Sequence, residues 1–91
     1  MFKHTYTKQF KKQYKLMQKR GKDMSKLINV LNMIINEEPL PSNYCNHPLH
    51  GEWEGSFDCH IEGDWVLIYE LDKKAGKVSF QRTGTHSDLD L

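Results

Sequence analysis

Apolar residues recur every three or four positions through the first third of the chain and every second position in its later part, so helices should be followed by strands. Tyr6, Phe10, Tyr14 and Met17 form one helical stripe, with Thr7 as an N-cap and Gly21 suited to a left-handed C-terminal stop. A second helix, capped by Asp23 or Ser25, turns Met24, Leu27, Ile28, Leu31, Ile34 and Ile35 toward a core and ends before Pro39. Residues 1–6 can start the chain as a short strand. Pro39, Pro41 and Pro48, with Ser42 and Asn43, mark an irregular connection too short to be an interdomain linker.

From Gly51 the period is two. Trp53, Gly55, Phe57, Cys59 and Ile61 fall on one face; Glu52, Glu54, Ser56, Asp58, His60 and Glu62 fall on the other, pointing away from the core. Glu62-Gly63-Asp64 turns the chain into residues 65–71, apolar on both faces and therefore central, and Ala75-Gly76 turns it into residues 78–83. The fold class predicted is α+β: two N-terminal helices on one face of an antiparallel sheet of about four strands, counting the N-terminal one, with the other face open. Residues 1–91 are expected to form one domain.

A domain of this length buries only about 60 to 65% of its unfolded surface, so any ligand site has to be built from surface residues. The longest apolar run, residues 65–69, is far shorter than the roughly 20 residues of a membrane span or the 7 or more of a signal-peptide core, so a soluble, unprocessed, cytoplasmic chain with no membrane partner is expected. Cys45 and Cys59 stand outside any CxxC pair and are expected to be free thiols packed as small hydrophobes, with no structural zinc.

Charge changes the picture. Residues 1–36 hold nine Lys or Arg against one acid, and residues 37–91 hold four against eleven, although the whole chain is nearly neutral. Such asymmetry points to a polyanion for the basic part. Lys8, Lys11, Lys12, Lys15 and Lys19 line the back of the first helix, either as a grip on phosphates or as a solvated face.

Candidate chemistry gathers in the later half. Asp58 and His60 sit two positions apart on one strand face, roughly 7 Å between Cα atoms. Asp64 follows in the turn, where it can also serve as a turn stabiliser. His47 and His50 precede the strand, and Arg82 and His86 lie around the end of the last one. Acid/base work on a phosphodiester needs this mixture: one group takes a proton from a hydroxyl, a second returns one to the leaving oxygen, and Arg holds the phosphoryl charge. RNA supplies the hydroxyl as its own 2′-OH, so the cleavage step calls for neither metal nor other cofactor. Arg82 shares parity with Val78 and Phe80, which turns it inward unless a bulge or the strand end re-aims it. A metal reading of His47, His50, Cys59 and His60 requires convergence that the HxxH spacing alone does not supply. His4 and His50 read as ordinary surface positions.

The run His47-Pro48-Leu49-His50-Gly51-Glu52-Trp53-Glu54-Gly55, then Asp58-Cys59-His60-Ile61, Asp64-Trp65-Val66-Leu67-Ile68-Tyr69 and Arg82-Thr83-Gly84-Thr85-His86-Ser87, closely resembles the YafQ branch of the RelE/ParE toxin superfamily. The resemblance, which covers nearly the whole chain, implies a RelE-like fold and a type II toxin–antitoxin toxin that cuts messenger RNA in frame in the ribosomal A site. It implies a cognate antitoxin that occludes the site, and operator DNA contacted only through that complex. Carried over by motif, the catalytic set falls on His47, Asp58, His60, Asp64 and His86, with Arg82 on the scissile phosphate and the first-helix lysines on ribosomal RNA. His86 becomes the leading candidate for proton transfer near the scissile bond. Asp90 stands where relatives commonly carry an aromatic, removing a base-stacking contact and placing a charge that repels RNA. The alternatives are a ParE-like gyrase-inhibiting toxin on the same fold, which needs no histidine set, and a catalytically impaired ribosome-binding homologue.

Overall fold

Thr7 starts the first helix as its chemistry predicts: its Oγ1 accepts the Phe10 N–H at 3.0 Å, and α1 (Lys8–Lys19) buries Phe10 and Met17. The computed structural model describes residues 1–49, 51 and 55–90. Gly21 takes φ +81°, its N–H reaching Gln18 O while the Lys22 N–H reaches Met17 O, which closes α1 with a left-handed stop. Asp23 caps α2 (Met24–Ile35) by accepting the Ser25 N–H. The buried arc of α2 is Leu27, Val30, Leu31, Ile34 and Ile35. Ile28, expected on the core stripe, is 42% exposed. At about 100° per residue it lies one step round from Leu27, at the far edge of that arc, whereas Val30 falls inside it.

The strands are β1 (Lys3–Tyr6), β2 (His47–Pro48), β3 (Ser56–Glu62), β4 (Trp65–Asp72) and β5 (Lys77–Thr85), followed by a one-turn helix α3 (His86–Leu89). They form one sheet in the order β1-β5-β4-β3-β2. The α+β class and the helix-on-sheet layering are as predicted. The sheet is mixed rather than wholly antiparallel, because β1 runs parallel to β5, from Lys3 opposite Lys77 to Tyr6 opposite Phe80. A parallel pair needs a long crossover, and the helices that follow β1 supply one. The alternation expected from Gly51 begins in the described residues at Ser56; Glu52, Trp53 and Glu54 lie outside them.

The helices pack on the face carrying Cys59, Ile61, Trp65, Leu67, Tyr69, Val78 and Phe80. The opposite face is not open. Leu89 of α3 packs there with Val66 and Ile68, and Leu49 joins them, so a second small core covers part of the surface on which the polar residues of β3 stand. Ser56 and Asp58 are accordingly buried rather than solvated. Of the two thiols, Cys59 is buried, which raises its pKa to about 12, while Cys45 is exposed on a left-handed turn, contrary to the expectation of packing. Among the described residues no helix is long and apolar enough to cross a membrane.

Candidate active site

One register break decides the geometry. Ile68 of β4 pairs with Arg82, but the adjacent Tyr69 pairs with Phe80, leaving Gln81 as an extra residue in β5. The bulge reverses the parity of the strand beyond it. Phe80 faces the helices, while Arg82 joins the opposite face with Ile68 and Gly84. Side chains of α1 and its cap take up backbone groups around the bulge: Thr7 Oγ1 donates to Gln81 O at 2.7 Å, and Gln13 Oε1 accepts the Thr83 N–H at 3.0 Å. Thr83 turns back into the helix-side core, where its hydroxyl accepts from Trp65 Nε1 at 2.9 Å and donates to Val66 O.

Two cross-strand rows then lie side by side. His47 pairs with Asp58, Asp58 with Ile68, and Ile68 with Arg82; in the next row His60 pairs with Val66, and Val66 with Gly84. His86, the first residue of α3, stands past the end of β5 with its ring edge-on to that of His60, centroids 5.2 Å apart. Asp64, in the β3–β4 turn held by Gly63 at φ +55°, bonds His86 through Oδ1 to Nδ1. Arg82 extends along the same face to α3, its Nη1 donating to Leu89 O at 3.4 Å. His47, Asp58, His60, Asp64, Arg82 and His86 thus share one surface. His50 lies outside the described residues.

The two carboxylates are tuned in opposite directions. Asp58 is 5% exposed, and burial raises its pKa against the pull of His47, His60 and His86; His47 Nδ1 lies 3.0 Å from its Oδ1. Asp64 is exposed and held below the ordinary carboxylate range, chiefly by the hydrogen bond from His86. With Nδ1 occupied by Asp64, Nε2 is the His86 nitrogen that a ligand could meet. Of the four residues in the metal reading, Cys59 and His60 are neighbours on opposite faces of β3 and so do not converge on one ion, and His50 lies outside the described residues.

Asp88 and Arg20 escaped sequence reasoning. Thr85 Oγ1 accepts the Asp88 N–H at 3.1 Å and the Asp88 carboxylate accepts the Thr85 N–H at 2.9 Å, forming a capping box. Arg20 Nη1 and Nη2 reach the same carboxylate at 2.6 and 3.0 Å. The Thr-x-x-Asp spacing was a readable signal for the cap, whereas nothing in the order of residues pairs position 20 with position 88. Lys8, Lys11, Lys12, Lys15 and Lys19 are all exposed on α1, in the helix layer rather than on the histidine face. Lys11 and Lys15 border a groove of about 380 Å³ floored by Tyr6, Phe10, Tyr14, Ile28 and Leu31.

Acid should loosen this end of the molecule. Asp64 and Asp88 both have lowered pKa values, Asp88 mainly through Arg20, so their contribution is complete above the unfolded value near 4 and is lost as pH falls through the folded values. Asp58, being raised, works the other way and favours the fold when protonated. Thermal melts between about pH 6 and pH 2 should show a falling midpoint below about pH 4. Asp88→Asn should melt lower at neutral pH with a shallower acid slope; an unchanged slope would remove Asp88 from the acid response.

Residues 2–91 match the family described as the bacterial toxin of type II toxin–antitoxin system, YafQ. The chain is 49% identical over 85 residues to the mRNA interferase toxin YafQ of Escherichia coli, covering 92% of this chain and 90% of that protein. It is 39% identical over 94 residues to the putative toxin YafQ of Haemophilus influenzae, covering 98% and 92% of the two. Among solved structures it resembles YafQ in the E. coli DinJ–YafQ complex, with TM-score 0.91, 46% identity and 98% of each chain covered. A metal-bound toxin from Helicobacter pylori is also similar, with TM-score 0.90, 32% identity and 98% and 99% covered.

Proposed function

Because the chain belongs to the YafQ family of bacterial type II toxin–antitoxin toxins, we propose that it is a messenger-RNA endoribonuclease that cuts its substrate in the ribosomal A site. The observation that carries the chemistry is the meeting of His60, His86 and Arg82 on one sheet face, with Asp64 fixing the His86 ring. The substrate 2′-OH attacks the adjacent phosphorus as a histidine takes its proton. The P–O5′ bond breaks, a protonated imidazole supplies the proton to the leaving oxygen, and a 2′,3′-cyclic phosphate remains. Arg82 offsets the charge that builds on the phosphoryl oxygens. His86 performs proton transfer at the scissile bond through Nε2, and His60 and His47 share the remaining exchange and positioning. Asp64 orients His86, and Asp58, buried against His47, keeps that imidazole over the site.

The site draws on edge strand β2, a turn and α3, with His47 and Asp64 exposed and His60 and His86 half-buried, which suits a site completed by the ribosome that presents the RNA. A cognate antitoxin follows from the relative solved with DinJ. Operator DNA would be met only through such a complex. Exposed Asp90, beside α3, favours lower efficiency or a shifted codon preference, because a carboxylate there repels RNA.

Primer extension on a reporter messenger RNA translated by purified ribosomes tests the reading. In-frame cuts that need ribosomes are expected. Stalled translation without cuts would leave an impaired ribosome binder, and untouched translation with inhibited supercoiling would leave a gyrase toxin. In the same system, replacing Lys11, Lys12 and Lys15 together by Gln should weaken ribosome association and lower its log–log salt slope by about 2, at roughly 0.7 to 0.9 for each phosphate no longer neutralised. An unchanged slope would reduce the stripe to a solvated face.

A further inference from the structure

We infer that Arg20 and Asp88 form a clamp through which α1 positions His86, a role that rests on the nuclease reading above. The helix that carries His86 has only four residues, too few to hold a shape by helix propensity. Its placement has to come from contacts. Leu89 supplies one by burial at 1% exposure, and Asp64 touches the His86 ring from the β3–β4 turn. Arg82 Nη1 reaches Leu89 O and the His60 ring lies edge-on to His86. A further contact is the Asp88 carboxylate, which closes the capping box on the Thr85 N–H and receives both Nη atoms of Arg20 at 2.6 and 3.0 Å.

Arg20 is the C-cap residue of α1, a helix of three turns anchored in the main core by Phe10 and Met17. The fork of two hydrogen bonds fixes orientation as well as distance, so the first turn of α3 is tied to a rigid element, and His86 is the first residue of that turn. Gly84 makes room for the clamp. A Cβ built on it would stand 3.0 Å from Asp88 Cβ and 3.1 Å from Asp88 Oδ2, so a side chain there would require Asp88 to shift by a few tenths of an ångström. Arg20 also sits in a basic helix and could be read as one more phosphate ligand. Its guanidinium is already engaged by Asp88, however, and an RNA grip would leave the bidentate geometry and the glycine without a purpose.

The test compares Arg20→Gln, Arg20→Lys, Asp88→Asn and the Arg20→Gln/Asp88→Asn double variant in the full chain. Three quantities are read: the single-turnover cleavage rate at saturating toxin on programmed ribosomes, ribosome affinity, and the His86 ring resonances by NMR. Arg20→Gln and Asp88→Asn should each lower the saturating rate about ten- to a hundredfold, the double variant no further than either alone, with ribosome affinity nearly unchanged. Arg20→Lys should recover part of the rate, since an ammonium keeps the charge but not the fork. The His86 ring signals should shift or broaden while amide signals of the main core stay in place. Weakened ribosome binding at an unchanged saturating rate, confined to the Arg20 variants, would make Arg20 an RNA-binding residue and overturn the clamp. Additive losses, or unmoved His86 signals, would overturn it too. If the parent chain cut no messenger RNA, the nuclease reading would have failed, and if His86→Ala cleaved at the parent rate, His86 would have no part in the chemistry; in either case the ring resonances alone would decide whether the clamp orients His86.

Discussion

His86→Ala is expected to lower messenger-RNA cleavage by about 10² to 10⁴, the range for removing one positioned proton-transfer group, and to abolish growth arrest when the chain is expressed without its antitoxin. The fold should tolerate the change, because the ring is half exposed and α3 is still held through Leu89 and Asp88. Antitoxin binding should persist, which separates lost chemistry from lost structure. His60→Ala should fall in the same range if the two edge-on rings divide proton removal and return between them. Undiminished growth arrest in both variants would discard the acid/base assignment and bring the gyrase reading forward.

Arg82→Gln is expected to reduce the saturating cleavage rate by about 10² to 10³, the usual cost of removing a donor aimed at charge that develops in the transition state. Lys8, Lys11, Lys12, Lys15 and Lys19 carry as much charge individually, but none stands in the histidine row. Loss of Arg82 should therefore appear in the rate at saturation, and loss of the lysines in ribosome affinity. Arg82→Lys should recover only part of the rate, because a point charge replaces a planar fork. If Arg82→Gln weakened binding alone, the guanidinium would be holding RNA in the ground state rather than stabilising the reaction.

How much of this could be read from the order of residues follows from which interactions are local. Thr7, Gly21 and Asp23 placed the helix ends correctly because a cap involves residues two to four apart. The β3–β4–β5 meander was legible because alternation and tight turns are local as well. Position 28 went wrong since periodicity marks the direction of an apolar arc but not its width, and Ile28 falls at the margin. The face of β3 bearing Asp58 and His60 was found, but its burial was not: Leu49 and Leu89, which cover that side, lie far from β3 or in a loop and form no stripe of their own. Arg82 showed the sharpest limit. Its parity pointed inward, and only the register of β5 against β4 shows which residue is the extra one. The parallel direction of β1 and the pairing of Arg20 with Asp88 are likewise properties of the assembled chain.

The strand order also sets a schedule. β5 is the last strand to be synthesised, yet it lies between β1 and β4, so the first strand made has no partner until the last one arrives. Pairings across such sequence separations form late, after the local helices and hairpin. The same strand carries Arg82 and leads directly into His86, so completion of the sheet coincides with assembly of the proposed site. A partly made chain can hold helices and a hairpin while the proposed site is still incomplete, and on that reading activity would appear only after residues 77–89 have emerged and folded.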